Sequence, residues 1–268
     1  MASVGGMDID DVMTRASEPP DAVVRYAAHD AGLIDVHLPP GAGPRPLVVY
    51  VHGGFWRQQW DRKHGRPLAN ALVARGYVVA LPEYRRVGGG GGWPTTAEDV
   101  EAALIALPGL LAGIGVGTTS TTLVGHSAGG HLVLWLANQP HPVDRVVALA
   151  PVGDLRMAAE EGMGDGAAVE FLGGTPEAVP DAYEAADPAT RMRRRPPCEV
   201  VVVHGDRDDA VPVGSSRGLS ARFDWLEYRE LPGVDHSQVI DPLSRAWPAV
   251  LDAIAGPAAR ALGETLGA

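Results

Sequence analysis

The chain has 268 residues, 46% of them hydrophobic, so it is long and apolar enough to bury a substantial core. Its formal net charge of −11 argues against a nucleic-acid or anionic-membrane partner, because polyanions bind where positive charge is concentrated. Cys198 is the one cysteine, which excludes an intramolecular disulfide, and no Cys/His cluster has zinc-ligand spacing. We therefore expect a single domain over residues 1–268 that uses no metal or other cofactor.

Residues 1–20 form an acidic extension that lacks the apolar run of a signal peptide. No stretch of the sequence approaches the length of a membrane span. The default expectation is a cytoplasmic protein without a membrane partner, and a homodimer is left open.

Short β-branched runs alternate with helical segments along the chain, a pattern that predicts an α/β protein whose mostly parallel sheet has helices on both faces. Two weaker runs before Pro39 predict an entering antiparallel pair. The predicted strands are VVRYAAH, GLIDVHL, LVVYVHG from Leu47, YVVALPEY from Tyr77, TTLVGH from Thr121, RVVALAP from Arg145, EVVVVHG from Glu199 and WLEYRELP.

Helices are predicted over 61–75, from Ala97 onward, over 127–138 and over 241–254. Gly76 is a plausible position just beyond the end of the first helix, and Thr95 or Thr96 can cap the second. Residues 154–197 are rich in Gly, Pro and acidic residues and contain no predicted strand. We expect this insertion to form a small cap that carries specificity.

The stretch LVGHSAGGHLVLWLA contains the pattern Gly-x-Ser-x-Gly at Gly125, Ser127 and Gly129. This pattern is typical of a nucleophile elbow, in which a serine occupies a sharp strand-to-helix turn. A second match at residues 214–218 follows a proline-containing loop instead of a strand. Ser127 is therefore the candidate nucleophile.

A serine hydroxyl needs a general base, and the base needs an acid that orients it. A carboxylate-rich loop follows the run EVVVVHG, and His236 lies just after the last predicted strand. The chain order of serine, acid and histidine is the order of α/β-hydrolases.

The segment HGDRDDAVP resembles the acid-bearing loop of the α/β-hydrolase superfamily, and this resemblance implies Asp208 as the triad acid. Asp206 and Asp209 are neighbouring alternatives, and Asp154 is a third because some relatives take the acid from that loop. The resemblance also implies His236 as the general base. Of the other histidines, His126 and His131 are interpreted as packing residues, His52 is expected to order the oxyanion loop, His204 ends a buried strand, and His29, His37, His64 and His141 match no motif position.

The segment HGGFW, residues 52–56, follows the first long strand, as the HGGG-type oxyanion loop of lipases and esterases does. The backbone amides of Gly54, Phe55 and Ala128 are the expected oxyanion donors, and Gly53 allows the tight turn. Phe55 stands where many esterases have a third glycine.

HGGFW and the following Arg57, with EYRR at 83–86 and AEDV at 97–100, resemble the kynurenine formamidase, or arylformamidase-like, branch of HGG-motif esterases. The resemblance implies a cofactor-free serine hydrolase that acts on a small acyl ester or amide. Phe55, Trp56 and His126 are expected to line the substrate pocket, which favours an aromatic or flat apolar substrate. A non-catalytic ligand-binding homologue and an acyltransferase with the same residues remain alternatives.

Overall fold

A mixed β-sheet runs through the part of the chain that a computed structural model describes, residues 12–266. Its strands are β1 (Ala22–Arg25), β2 (Leu33–His37), β3 (Arg45–Val51), β4 (Val78–Pro82), β5 (Thr118–His126), β6 (Arg145–Leu149), β7 (Glu199–Gly205) and β8 (Glu227–Leu231). Their order across the sheet is β1-β2-β4-β3-β5-β6-β7-β8. β2 pairs antiparallel with β1 and β4, and the other neighbouring strands are parallel. The predicted entering pair and mostly parallel sheet are confirmed.

Helices cover both faces of this sheet, as predicted. They are α1 (Arg66–Val73), α2 (Thr95–Gly113), α3 (Ala128–Leu136), α4 (Leu155–Glu160), α5 (Met163–Leu172), α6 (Pro180–Ala186), α7 (Pro188–Arg191), α8 (Gly214–Arg222) and α9 (Trp247–Leu266). α2 and α3 contribute to one hydrophobic core, and α1 and α9 contribute to the other.

Strand β3 shows why the central strands are continuous apolar runs. Leu47, Val49 and Val51 point into the core beneath α2 and α3, whereas Val48 and Tyr50 point into the opposite core. Successive side chains of a strand alternate between its faces, so a strand that is covered on both sides needs an apolar residue at every position.

Three predicted helix starts differ from the structure by two or more residues. α1 begins at Arg66, five residues later than predicted, after a 3-10 turn over Arg62–Gly65. α2 begins at Thr95 after Pro94, and the Thr96 hydroxyl donates to the Arg85 carbonyl at 2.6 Å instead of capping the helix. α9 begins at Trp247, six residues later than predicted, because Asp241 accepts the Leu243 amide and holds the intervening chain in a turn.

Residues 154–197 contain the four helices α4 to α7 and no strand. Of the N-terminal extension, residues 1–11 lie outside the described residues, and Val12 is buried in the core beneath α1 and α9. None of the helices within residues 12–266 combines the length and the hydropathy that a membrane crossing needs.

Candidate active site

Ser127 occupies the sharp turn between β5 and α3. Its φ of 55° and ψ of −118° lie outside the regions that non-glycine residues usually adopt. The surroundings hold this conformation, because the Ser127 amide donates to the Leu149 carbonyl at 2.9 Å and the Ser127 carbonyl accepts the His131 amide at 3.0 Å. The turn has the strand and helix on its two sides that the elbow motif requires.

The two motif glycines allow the chain to reverse at Ser127. A Cβ atom on Gly125 would lie 2.2 Å from the Gly129 carbonyl oxygen. A Cβ atom on Gly129 would lie 2.1 Å from the carbonyl oxygen of Val51, the last residue of β3. The start of α3 is therefore pressed against the end of β3.

The second match to the motif lies in α8, with its serine inside a helix and not at a turn. Ser216 is fully buried there, and its hydroxyl contacts a ring nitrogen of His204 at 2.7 Å. The structure thus places Ser216 apart from the elbow, in contact with β7.

His236 and Asp208 come together from the loops after β8 and β7. His236 Nδ1 lies 2.7 Å from Asp208 Oδ2. The other carboxylate oxygen, Oδ1, accepts the amides of Ala210 and Val211 at 3.0 and 2.7 Å. Burial alone would raise the pKa of Asp208, but hydrogen bonds from His204 and His236 lower it well below its ordinary value.

The three other candidate acids have different surroundings. Asp206 is exposed and accepts the Gly233 amide, and Asp209 is also exposed. Asp154 caps α4 by accepting the Met157 amide at 2.9 Å. Asp208 is the carboxylate that contacts His236.

His126 connects His236 to the elbow. Its Nε2 donates to the His236 carbonyl at 3.0 Å, and the two ring centroids lie 4.6 Å apart. Burial and the neighbouring His236 lower the pKa of His126 well below its ordinary value, so its ring is neutral. His236 therefore contacts the residue that immediately precedes Ser127. Only 3% of His126 is exposed, and its predicted contact with substrate stays a prediction.

The loop after β3 lies directly beside Ser127. A Cβ atom on Gly53 would lie 3.0 Å from Ser127 Cβ, so only glycine fits this approach. Gly54, Phe55 and Trp56 all have positive φ values, of 106°, 50° and 56°. These consecutive left-handed residues turn the backbone sharply at the predicted oxyanion loop.

Backbone pairing with the segment after β4 supports this strained loop. The Val87 amide donates to the Trp56 carbonyl at 2.8 Å, and the Gln58 amide donates to the Val87 carbonyl at 3.1 Å. A further bond from the Arg57 amide to the Gly54 carbonyl, at 3.0 Å, closes the turn. The left-handed residues are therefore held by one bond across the turn and by pairing with the segment after β4.

Beneath the loop lies a buried polar group that the sequence reasoning only partly found. His52 Nδ1 donates to the Gly53 carbonyl at 2.8 Å, and His52 Nε2 lies 2.9 Å from Glu83. Tyr84 stacks on the His52 ring and donates its hydroxyl to the His52 carbonyl at 2.7 Å. Burial would raise the pKa of Glu83, but His52 and Arg86 outweigh burial and lower the pKa to about 2.

The resemblance carried by EYRR does not by itself indicate this role of Glu83 and Tyr84. The signal in the sequence is an acidic residue, an aromatic residue and two basic residues that directly follow a buried strand.

The side chains of the loop face the 154–197 insertion. Trp56 is 1% exposed and stacks on Phe171 of α5 at 4.5 Å, so it supports the loop from inside the core. Its exposed fraction is as small as that of His126, and its predicted pocket-lining role likewise stays a prediction. Phe55 is half-buried and packs against Gly164.

Arg57 joins the predicted oxyanion loop to the same insertion by three hydrogen bonds. Its guanidinium donates to Glu170 at 2.7 Å and to the carbonyls of Gly164 and Asp165 at 2.8 and 3.2 Å. All three acceptors belong to α5, and two of them lie in its left-handed turn. Because the guanidinium is rigid, these bonds fix the insertion relative to the loop.

Within residues 12–266, no group of three or more His, Cys, Asp or Glu side chains is arranged to hold a metal ion.

Comparisons with known proteins show the family to which the chain belongs. Residues 34–223 match the model of the BD-FAE family, which is well over half of the chain. The chain belongs to the BD-FAE family. It is 28% identical over 243 residues to esterase LipC of Mycobacterium tuberculosis, covering 80% of this chain and 58% of LipC. It is 32% identical over 110 residues to a kynurenine formamidase of Danio rerio, covering 41% of this chain and 36% of that protein.

Solved structures show the same fold. A thermophilic esterase from Thermogutta terrifontis superposes with a TM-score of 0.71 at 20% identity, over 94% of this chain and 96% of that one. A carbohydrate esterase from gut microbiota gives a TM-score of 0.70 at 19% identity, over 86% and 95% of the two chains. The predicted α/β-hydrolase fold is confirmed. The chain spans little more than half the length of LipC.

The contact between Gly129 and β3 predicts that Gly129→Ala is strongly destabilising. The added methyl group would overlap two backbone carbonyls, so we expect a loss of about 3 kcal/mol in the free energy of unfolding. Gly218→Ala is the matched control from the second motif, where no atom lies within 4 Å, and it is expected to stabilise α8 by up to about 1 kcal/mol. Urea denaturation followed by tryptophan fluorescence measures both, and equal stabilities of the two variants would contradict the contact.

The Glu83 carboxylate predicts a pH-dependent stability. Its folded pKa of about 2 lies below the ordinary value of 4.5, so the unfolded chain binds more protons between these values. The stabilisation, about 3 kcal/mol, is complete above pH 4.5 and is lost as the pH falls toward 2. We expect the unfolding free energies of wild type and Glu83→Gln to converge over this range.

Glu230→Gln is the control for that measurement, because Glu230 pairs with Arg217 at the protein surface. The loss of unfolding free energy in Glu230→Gln should be smaller and should disappear in 1 M salt, whereas the loss in Glu83→Gln should persist because Glu83 is buried. Parallel pH curves for wild type and Glu83→Gln would contradict the role of Glu83.

Proposed function

We propose that this protein is a serine hydrolase that cleaves a small acyl ester or amide through an acyl-enzyme. The observation that carries this proposal is the position of His236, which is hydrogen-bonded to buried Asp208 and packed against the residue that precedes strained Ser127. A nucleophile, a base and an orienting acid in this arrangement are the minimum machinery of acyl transfer.

In the proposed mechanism, Ser127 Oγ attacks the substrate carbonyl carbon while His236 Nε2 takes the hydroxyl proton. Asp208 holds His236 by Nδ1 and stabilises the imidazolium that forms. The tetrahedral intermediate collapses as the imidazolium gives its proton to the leaving alcohol or amine. Water then attacks the acyl-enzyme with the same base, which releases the acid and restores Ser127.

The negative charge of the tetrahedral intermediate needs donors that are already in place. The Ala128 amide, at the start of α3, supplies one, and the amides of Gly54 and Phe55 supply the others. Gly53 lets this loop approach the nucleophile. Loss of one such donor typically costs about 2.7–4 kcal/mol of transition-state stabilisation, so the bonded support of the loop is important for rate.

The names of the relatives support ester or amide chemistry. LipC is an esterase, and the Danio rerio relative is a kynurenine formamidase. Carboxylesterase activity is the leading proposal because the esterase similarity covers more of the chain. Formamidase activity is the second candidate, favoured by the higher identity over the shorter segment. The half-buried side chain of Phe55, within the oxyanion loop, supports an aromatic or flat apolar substrate.

A fluorophosphonate probe tests the nucleophile. We expect the probe to label the wild-type protein and to leave Ser127→Ala unlabelled, because the phosphorus is attacked by the activated hydroxyl. Ser216→Ala changes the serine of the second motif match, and this variant should still be labelled. A folded wild type that is not labelled would support the non-catalytic ligand-binding alternative.

The same wild type and Ser127→Ala are then assayed on short aryl esters, longer alkyl esters, formanilides and N-formylkynurenine. Short aryl esters are expected to be cleaved fastest, and all activity should fall to background in Ser127→Ala. Absence of activity on both aryl esters and formanilides, with labelling intact, would contradict the pocket proposal. Product analysis in the presence of an added alcohol distinguishes hydrolysis from acyl transfer.

Asp208→Asn and Asp209→Asn form a matched pair for the acid. Asparagine at 208 removes the charge that stabilises the imidazolium, and we expect kcat to fall about 10⁴-fold. The exposed neighbour at 209 has no contact with His236, so kcat should remain within about twofold of wild type. Steady-state kinetics measures both, and an equal loss in the two variants would reject Asp208 as the acid.

A further inference from the structure

A second imidazole lies behind Asp208. His204 is the penultimate residue of β7 and is fully buried. Its Nε2 lies 3.0 Å from Asp208 Oδ2 and 2.9 Å from the Val211 carbonyl. A carbonyl oxygen can only accept a hydrogen bond, and the same holds for an ionised carboxylate. Nε2 therefore carries a proton that the two oxygens share.

The other nitrogen of this ring faces a hydroxyl. His204 Nδ1 lies 2.7 Å from the Oγ atom of Ser216, which is fully buried in α8. A serine hydroxyl can donate its proton to an unprotonated Nδ1, which satisfies both groups with the ring neutral. Protonation of both ring nitrogens would instead place a second cation on the carboxylate that has to stabilise His236.

We propose that Ser216 and His204 form a neutral hydrogen-bonded relay that positions Oδ2 of Asp208 toward His236 and leaves the negative charge of Asp208 available to the His236 imidazolium. This inference deepens the proposed function and rests on it. His204 and Ser216 are positioning residues here, since they act through Asp208. The serine of the second motif match thus supports the site built around the first one.

The hydrogen bonds that Asp208 accepts explain why the relay is needed to hold Asp208 in position. The Asp208 side chain is fully buried, and its two oxygens accept four bonds, two from backbone amides and two from imidazoles. A buried carboxylate needs such donors to remain ionised. Without His204, His236 would be the only donor to Oδ2. The two amide bonds to Oδ1 would then not prevent the carboxylate from rotating and carrying Oδ2 away from His236.

Other charged groups reach His204 from neighbouring strands and loops. Glu230 of β8 lies opposite His204 in the strand register and is paired with Arg217 of α8 at 2.6 Å. His236 faces the shared carboxylate from the loop after β8. The charge of Glu230 is neutralised by Arg217. Asp208 is therefore the anion that interacts most directly with His204.

Two substitutions of His204 separate this role from packing. In His204→Asn the shorter amide stays on the Ser216 side and cannot reach Asp208. In His204→Gln the longer side chain places an N–H donor where Nε2 was. Both are neutral, so they differ mainly in the bond to Asp208.

For His204→Asn we expect kcat on a short aryl ester to fall about 10- to 100-fold, with KM within about twofold of wild type. The pH at which kcat/KM is half lost on the acid side should rise, because a carboxylate with one donor fewer holds the His236 imidazolium more strongly. His204→Gln should restore both quantities to within about threefold. His141→Asn is the control, a buried histidine that faces Glu101 away from the site, and it should change neither.

Two kinetic results would overturn the relay: wild-type kinetics in His204→Asn, or equal losses with unchanged pH profiles in the Asn and Gln variants. Urea denaturation verifies that each variant is folded.

A spectroscopic measurement decides the point without activity. Nitrogen-15 NMR of the Ser127→Ala protein should find the His204 ring neutral at pH 7, protonated at Nε2 and unprotonated at Nδ1. A ring protonated on both nitrogens, or on Nδ1 alone, would overturn the proposal. This measurement also applies if His204→Asn does not fold. Failure of Ser127-dependent labelling would reject the proposed function instead, so the two failures are distinguishable.

Discussion

The close backbone contact between the end of β3 and the start of α3 is the constraint on which the candidate site depends. Gly129 lies so near the Val51 and His52 carbonyls that no side chain fits between them. This contact brings the strained residue Ser127 beside Gly53 and hence beside the predicted oxyanion loop. The sheet supplies the rigidity, since β3 and β5 are adjacent parallel strands with buried side chains on both faces.

Two buried carboxylates hold the loops that meet at this turn. Asp208 organises the loop after β7 and holds His236, while Glu83 holds His52 beneath the oxyanion loop. Both have a pKa below the ordinary value, because hydrogen bonds from histidine and, for Glu83, the nearby Arg86 outweigh burial. A buried charge with several fixed donors resists displacement, since movement would leave it unpaired in a medium of low dielectric constant. The polar groups of the site are therefore also part of its framework.

The 154–197 insertion contributes to the same framework from the other side. Phe171 stacks on Trp56, and Arg57 reaches Glu170 and the turn at Gly164. The predicted oxyanion loop is thus packed between the sheet and the insertion. A change in the sequence of the insertion would alter the loop as well as any surface that it offers to substrate.

Much of the fold and part of the candidate site were predictable from the sequence, because both depend on local patterns. Apolar runs indicated the central strands, and Gly-x-Ser-x-Gly between a strand and a helix indicated the turn at Ser127. Boundaries that depend on side-chain bonds were less accurate: the Thr96 hydroxyl bonds the Arg85 carbonyl instead of capping α2, and Asp241 delays α9. Such bonds compete with helix capping and cannot be read from spacing alone.

The sequence by itself determined the order of strands and helices, the strand-to-helix turn at Ser127 and the identity of the nearby polar loops, since each follows from adjacent residues. Only the tertiary structure decided which carboxylate meets His236, that Trp56 is buried and that Ser216 contacts His204. These facts depend on contacts between residues distant in sequence, and a contact of that kind is set by how strands and helices pack against one another.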